Sequence, residues 1–401
     1  MSRRDVGGWV GSVVGAFAVL GGLTWLALTV AAPSAGSVIG ERASTEADES
    51  GRLSDRQTLG EESLDGASGG DRSVVNARLA AGPMLGPTTP TTASVWVQTT
   101  APATVTLVAN IVERGDAPRS NAEGETTGER ERLRLVRRTT AEGDHIAVFR
   151  LAGLLQGSVY QYQIFVGDRA FRDEPYRLMT RPIWRWRTEP PTLRFVAGSC
   201  LYVNDPPFNR PGEPYGGEYE ILDAIAETSP DLMLWLGDNV YMRAEEWATP
   251  EGIAYRYRFD RSTPPLQRLL ASTSHLAIWD DHDYGPNDSD WTFHQKEAAL
   301  AVFDRYWLNP SAGAPGPNNG IYTRYVIGDV EFFLLDNRWF RSPNDVPESD
   351  SSKQMFGEQQ LDWLLDGLTS STARVKIVAA GGQFLSEVNH YEAFQEYPCE
   401  R

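Results

Sequence analysis

Cysteine is nearly absent. The 401 residues contain two, Cys200 and Cys399, too few for a disulfide framework, so stability has to come from a buried core. Positive charge is scarce as well: 37 basic against 54 acidic residues leave a net charge of −17, a field that repels polyanions and sets nucleic acid aside as a bulk ligand. Lysine is confined to Lys296, Lys353 and Lys376, a preference for arginine into which nothing functional is read. No internal repeat is visible, which sets repeat architectures aside. What is present is an ordinary globular composition, 41% apolar and 23% charged, in a chain long enough for two domains with separate cores. Nothing in it demands an obligate partner, and a monomer is expected.

Residues 1–35 read as a targeting segment. Arg3 and Arg4 precede a long apolar run, Gly8 to Ala32, that ends in the small residues Ala31-Ala32-Pro33-Ser34-Ala35. Export follows, to the periplasm, the extracellular space or the outer face of the cytoplasmic membrane. The run is near the ~20 residues that cross a bilayer, so a cleaved signal peptide and an uncleaved anchor through residues 8–32 both fit. The arginine pair also suits a twin-arginine signal. Residues 36–76 are rich in Ser, Gly, Glu and Asp with few large apolar side chains and read as a flexible linker.

Residues 77–190 alternate with a period of two, at Val95 and Val97, Val105 and Leu107, Ile146 and Val148, then Tyr160 to Val166. That pattern predicts a small antiparallel β-sandwich, with the polar stretch Gly115 to Glu129 as a solvated hairpin loop. After Pro190-Pro191 short apolar runs alternate with amphipathic helices, which predicts an α/β domain over residues 191–401. Strands are expected at Leu193–Ala197, Leu232–Leu236, Leu276–Trp279 and Val375–Ala379, with a hairpin around Gly328-Asp329. Helices are expected around Glu218–Thr228, Thr292–Trp307 and Gly357–Leu368.

Three of these strands run into polar clusters: Gly198-Ser199-Cys200, Gly237-Asp238-Asn239-Val240-Tyr241, and Asp280 through Asp288. Ligands of open α/β sheets bind beyond the carboxyl ends of strands. One such cluster would pass for a turn. Three in series supply a thiol, carboxylates, a phenol, an amide and an imidazole, the donors of a mixed hard-and-soft metal centre suited to metal-assisted hydrolysis.

The same clusters resemble the PhoD-like (alkaline phosphatase D) metallophosphatases, relatives of the calcineurin-like metallophosphoesterases. The resemblance extends through Trp279-Asp280-Asp281-His282-Asp283, Leu335-Asp336-Asn337-Arg338 and Gly357-Glu358-Gln359-Gln360-Leu361-Asp362-Trp363-Leu364, and covers roughly Ala77 to Arg401. It implies a layered metallophosphatase-type α/β domain behind a β-sandwich. It further implies a ferric ion on Cys200, Asp238 and Tyr241, with Asp238 bridging to one or more calcium ions near Asp281 and Asn287. The donor chemistry agrees, since thiolate and phenolate suit ferric iron whereas carboxylate and amide oxygens suit calcium. Alone, Cys200 would read as a small buried hydrophobe and Tyr241 as a core or rim aromatic.

His282 stands where related phosphoesterases place a histidine that protonates the leaving oxygen or contacts phosphate; the other reading is a loop brace satisfied by Asp280 or Asp283. Arg338 is expected either to grip a phosphate oxygen or to pair internally with Asp336. Asn239 and Asp283 are expected to organise their turns. The family completes its site with a later Gly-Asp-x-His motif, and none follows Gly381-Gly382-Gln383-Phe384-Leu385; His390, in a loop, is the one late histidine. The chain therefore reads as C-terminally truncated, a fragment or a protein that has lost part of its metal site. The expected activity is metal-dependent hydrolysis of small phosphate esters, mono- or diesters. The alternative is a surface-tethered binding protein on a decayed, catalytically impaired phosphatase domain.

Overall fold

The computed structural model of the chain describes residues 25–30, 77–115, 132–209, 212–215, 217–311, 320–386 and 393–401. The expected linker 36–76, most of the targeting segment, the polar insertion beyond Gly115 and His390 lie outside the described residues. Within the targeting segment, strand β1 (Trp25–Val30) runs antiparallel to a strand of the α/β sheet, pairing Trp25 with Gly198 and Val30 with Leu193. Among the described residues no helix is long and apolar enough to cross a membrane.

The first sheet of the sandwich is β2 (Leu79–Leu85), β3 (Thr92–Thr99) and β6 (Ile146–Ala152). The second is β5 (Arg132–Arg138), β4 (Thr104–Glu113), β7 (Val159–Val166) and β8 (Arg169–Ala170), with β9 (Tyr176–Met179) also on β7. Alternate residues of β6 and β7 turn inward, and Val95, Val97, Leu107, Phe149, Tyr162 and Ile164 close the core between the sheets, as period-two strands with one wet face require.

The α/β layers follow. Strands β10 (Leu193–Gly198), β11 (Leu232–Leu236) and β12 (Ser274–Ile278) are parallel neighbours. Every residue of β11 and β12 is buried, the reason they read as unbroken apolar runs. Between them lie α1 (Glu220–Glu227), α2 (Pro250–Arg261) and α3 (Pro264–Ser272); after them come the single turn α4 (Asp281–Tyr284) and α5 (Lys296–Tyr306). A second sheet, β13 (Thr323–Ile327), β14 (Val330–Leu334) and β15 (Val375–Ala379), with α6 (Glu358–Ser370) connecting β14 to β15, faces the first, with Phe195 and Phe332 edge-to-face at 5.2 Å. Leu234, Leu334 and Ile377 share that core. Helices α2 and α3 go beyond the expected elements. Both open on a Thr-Pro pair, and Thr249 accepts the Gly252 N–H as an N-cap, a start signal the sequence does carry.

The two halves are joined more closely than the expected division into separate domains at residue 190 implies. Leu85 of β2 pairs with Ser274 of β12, so the sandwich sheet continues the α/β sheet in the order β1-β10-β11-β12-β2-β3-β6. Ala81, Met84 and Trp96 belong to the same apolar cluster as Phe195 and Leu234. Trp96 donates its indole N–H to the Arg305 carbonyl at 2.9 Å, and Tyr325 donates its hydroxyl to the Thr88 carbonyl at 2.5 Å.

Candidate metal centre

The polar clusters meet because β10, β11 and β12 are parallel and end together. Past β10 the chain turns through Cys200 with φ 61°, and past β11 through Asp238 with φ 52°, left-handed conformations that are costly for a residue with a Cβ and gather at functional sites. The two turns are laced together. Cys200 N–H donates to the Gly237 carbonyl at 3.3 Å and Leu201 N–H to the Asp238 carbonyl at 2.9 Å. Gly237, at φ 96°, packs so closely on the next loop that a Cβ there would lie 2.6 Å from the Asp280 Cβ; no other residue fits.

Past β12 a capping box starts α4: Asp283 accepts the Asp280 N–H at 3.0 Å while the Asp280 side chain accepts from the Asp283 backbone. The other Asp283 oxygen takes Asn239 N–H at 2.9 Å, and Asn239 Nδ2 donates to the Ile278 carbonyl at 2.7 Å. Asn239 and Asp283 thus hold the turns in register. His282 is thereby presented to two carboxylates. Its Nδ1 lies 3.0 Å from Asp281 Oδ1 and 3.4 Å from Asp238 Oδ2; Asp280 and Asp283 are not the partners of its ring.

Asp238, Asp281 and His282 place one donor atom each within 4.8 Å of one another. Cys200 Sγ lies 3.7 Å from Asp238 Oδ2, and the Tyr241 ring sits 4.3 Å, centroid to centroid, from the imidazole. Asn287 is placed differently: its side chain is exposed and its Nδ2 donates to Asp288 Oδ2 at 2.7 Å. The same loop nevertheless folds over the centre, with Asp288 N–H on Asp281 Oδ2 at 2.8 Å.

The electrostatics show what this donor set needs. Burial, then the charge of Asp281, raises Asp238 to about 6. Burial, then Asp238, pushes the Cys200 thiol up to about 12, and the same causes raise the Tyr241 phenol far above its ordinary range. Asp281 goes the other way. Burial works against its charge, but Arg338, His282 and the Asp288 N–H outweigh it and hold the carboxyl below the usual range. Burial likewise opposes the imidazolium, and Asp238 and Asp281 overcome it, holding His282 up at about 11. Crowded acidic donors are pushed toward their neutral forms, and a bound cation reverses that push. The residues fit a metal ion.

Arg338 corrects an expectation. It is wholly buried, and its charge partner is Asp280, to which Nε donates at 2.6 Å and Nη2 donates as well; Nη1 reaches the Ser289 carbonyl at 3.2 Å. Asp336 is occupied otherwise, by the Trp279 indole at 2.7 Å and the backbone N–H groups of Ile321, Arg338 and Trp339. A fully enclosed guanidinium on Asp280 acts on the centre through neighbouring carboxylates. Asp280 and Asn337, present in the family motifs but given no role at the centre by the sequence, belong to this cluster. Asn337 Nδ2 donates to the Asp280 oxygen that Arg338 grips, at 2.8 Å, and Gly381 past β15 leaves the space for both. The signals available were the places of Asp280, Asn337 and Gly381 after strand ends and the presence of Asp280 and Asn337 in the motifs that carry the family resemblance.

Two family models match the chain. The PhoD-like phosphatase family model matches residues 195–397, half of the chain, and a domain of unknown function (DUF7800) matches residues 76–181. Alkaline phosphatase D of Bacillus subtilis (strain 168) is 22% identical over 300 residues, covering 62% of this chain and 48% of that protein. The chain thus spans about half the length of that curated relative. A solved structure of PhoD is similar with a TM-score of 0.61 at 19% identity, covering 79% of this chain and 66% of that one, a likeness of fold.

Proposed function

Because the chain belongs to the PhoD-like phosphatase family, we propose that it hydrolyses small phosphate esters with the help of metal ions, outside the cytoplasm and as a monomer. The observation that carries this reading is the convergence of Asp238, Asp281 and His282, within 4.8 Å of one another, at the ends of β11 and β12. Cys200, Asp238 and Tyr241 would hold ferric iron and Asp281 calcium, with Asp238 shared between the two; Asn287, exposed and turned to Asp288, would have to swing inward to join them. Thiolate and phenolate favour the first ion and carboxylate and amide oxygens the second.

Bound there, metal ions would lower the pKa of a water and offset negative charge on the ester. The side chains do the remainder. Asp283 and Asn239 fix the turns that aim Asp238 and Asp281. Asp280, gripped by Arg338 and Asn337, keeps the third loop in place, so Arg338 is a positioning residue. His282 turns Nδ1 to the carboxylates, which leaves Nε2 as the atom that delivers a proton to the leaving alcohol oxygen. Arg3-Arg4 and the apolar run after them support export; a cut after that run, or an anchor across 8–32, would require Trp25–Val30 to leave their pairing with β10.

The test is metal analysis of exported protein together with an ester panel run with and without calcium. Iron with calcium is expected, and hydrolysis that stops on chelation and returns on reloading. Full activity with zinc alone overturns the choice of ions, and failure of the reloaded protein on every ester overturns the hydrolase reading.

A further inference from the structure

Between β10 and α1 the chain carries aromatic surface outward from the candidate centre. Tyr202 meets Tyr241 at 5.2 Å between ring centroids, and Tyr241 lies 4.3 Å from the His282 ring. On its other side Tyr202 meets Tyr215 edge-to-face at 4.9 Å. Tyr215 is 45% exposed, as is Phe208 in the same loop. The outer ring is held from beneath: Asn204 Oδ1 accepts the Tyr215 N–H at 3.1 Å, while its Nδ2 donates to the Tyr215 carbonyl at 2.7 Å and to the Tyr219 hydroxyl at 3.0 Å. The inner ring is held from the side. Arg243 lies over Tyr202 at 4.4 Å, its guanidinium fixed by the carbonyls of Tyr241 and, at 2.7 Å, Val203.

Holding a half-exposed tyrosine on a braced backbone gains little for folding, because that surface is not removed from water. Beside a reaction centre, fixed aromatic surface gives a flat ring something to stack on, with little ordering left to do at binding. We propose that Tyr202 and Tyr215 form a stacking wall for the leaving group, and that the site takes phosphate esters whose alcohol carries a planar aromatic ring in preference to saturated ones. The inference rests on the neighbouring cluster being the hydrolytic centre. An aromatic pair of this kind is worth about three- to tenfold in affinity.

Calorimetry on metal-loaded protein with phenylphosphonate and cyclohexylphosphonate tests the wall without turnover, since the P–C bond is not cleaved and the two probes differ in flatness more than in size. The wild type should bind the phenyl compound about three- to tenfold more tightly. Tyr215→Leu should abolish that gap without weakening the cyclohexyl compound, and Tyr215→Phe should keep it. With phenyl phosphate as substrate, Tyr215→Leu should raise KM by the same factor and leave kcat alone. Equal affinities in the wild type, or no measurable binding of either phosphonate, overturn the wall. So does an equal loss for both probes in Tyr215→Leu, which marks the residue as structural. An aryl preference in binding with no ester hydrolysed strikes the hydrolase reading and leaves the wall standing.

Discussion

Two buried ionic clusters are linked through Arg243, and they differ in what balances their charge. In one, Arg256 is fully buried and its guanidinium is filled by Asp205 at 3.1 Å, Glu246 at 2.6 Å and Asp260 at 3.1 Å. In the other, Asp238 and Asp281 converge near Cys200 and Tyr241, and the cation bonded to both carboxylates is the imidazole of His282. Arg243 ties them, taking Glu246 on its backbone N–H at 2.8 Å and the Tyr241 carbonyl on its guanidinium. The first cluster is closed by the protein's own hydrogen-bonded fork and reads as structure. The second gathers soft and hard donors around one titratable ring and reads as a place for a cation from outside. Counting buried charges would not separate them; the chemistry of the partner does.

Substitutions can break that contrast, and the largest effect is expected at its centre. Asp238→Ala should remove metal and hydrolysis together, by ~10³-fold or more, equivalent to about 4 kcal/mol of barrier; near-normal turnover would place the site elsewhere. His282→Ala should lower kcat by ~10²–10⁴-fold with metal content near normal, and should cost a poor alkyl leaving group more than a nitrophenolate. Equal loss on both substrates with depleted metal would reassign His282 to the metal-holding set. Removing the Asp280 partner with Arg338→Met should reduce activity by ~10–100-fold and weaken metal retention, which titration with a competing chelator would read.

The closed cluster should answer in a different currency. Arg256→Met strands three buried carboxylates and should cost about 3–5 kcal/mol of stability in urea unfolding, while kcat of the folded, metal-loaded fraction stays within about twofold. A large kcat loss there would erase the distinction between the clusters. The smallest effect concerns pH. Burial raises Asp260 to about 7 against the pull of Arg256. Because the folded carboxyl holds its proton more tightly than the unfolded one, its contribution is complete below the ordinary carboxylate range and is lost as pH rises through about 7. Asp260→Asn should therefore flatten the stability profile between about pH 4 and pH 7 by ~1–3 kcal/mol.

How far the sequence carried the reading follows from how local each signal is. The apolar runs of β10, β11 and β12 and the polar residues at their ends are neighbours in the chain, so fold class and the gathering of Asp238, Asp281 and His282 at one sheet edge were legible. Helix α2 was not, because its buried residues include Arg256, Asp260 and Arg261, which erases the apolar stripe that marks a helix. The partner of Arg338 lies 58 residues away at Asp280, and nothing in the sequence chooses it over Asp336 two residues away. The wall of Tyr202 and Tyr215 was hidden for the same reason, since it depends on how Asn204 and Arg243 fold the loop back.

The pairing of Leu85 with Ser274 bears on how this protein could be taken apart. A module that evolution or an experimenter can shuffle needs a surface that water already wets on both sides of the cut. Here the cut would pass through a β-sheet and strip Trp96 from its place beside Tyr306, 5.6 Å away. A fragment beginning near Leu193 would lose the one β2 pairing of β12, at Ser274, and would show an apolar socket, a feature that drives chains to associate. The two halves are therefore best handled as a single piece, and the workable place for a fusion or a tag lies ahead of β2 rather than between them.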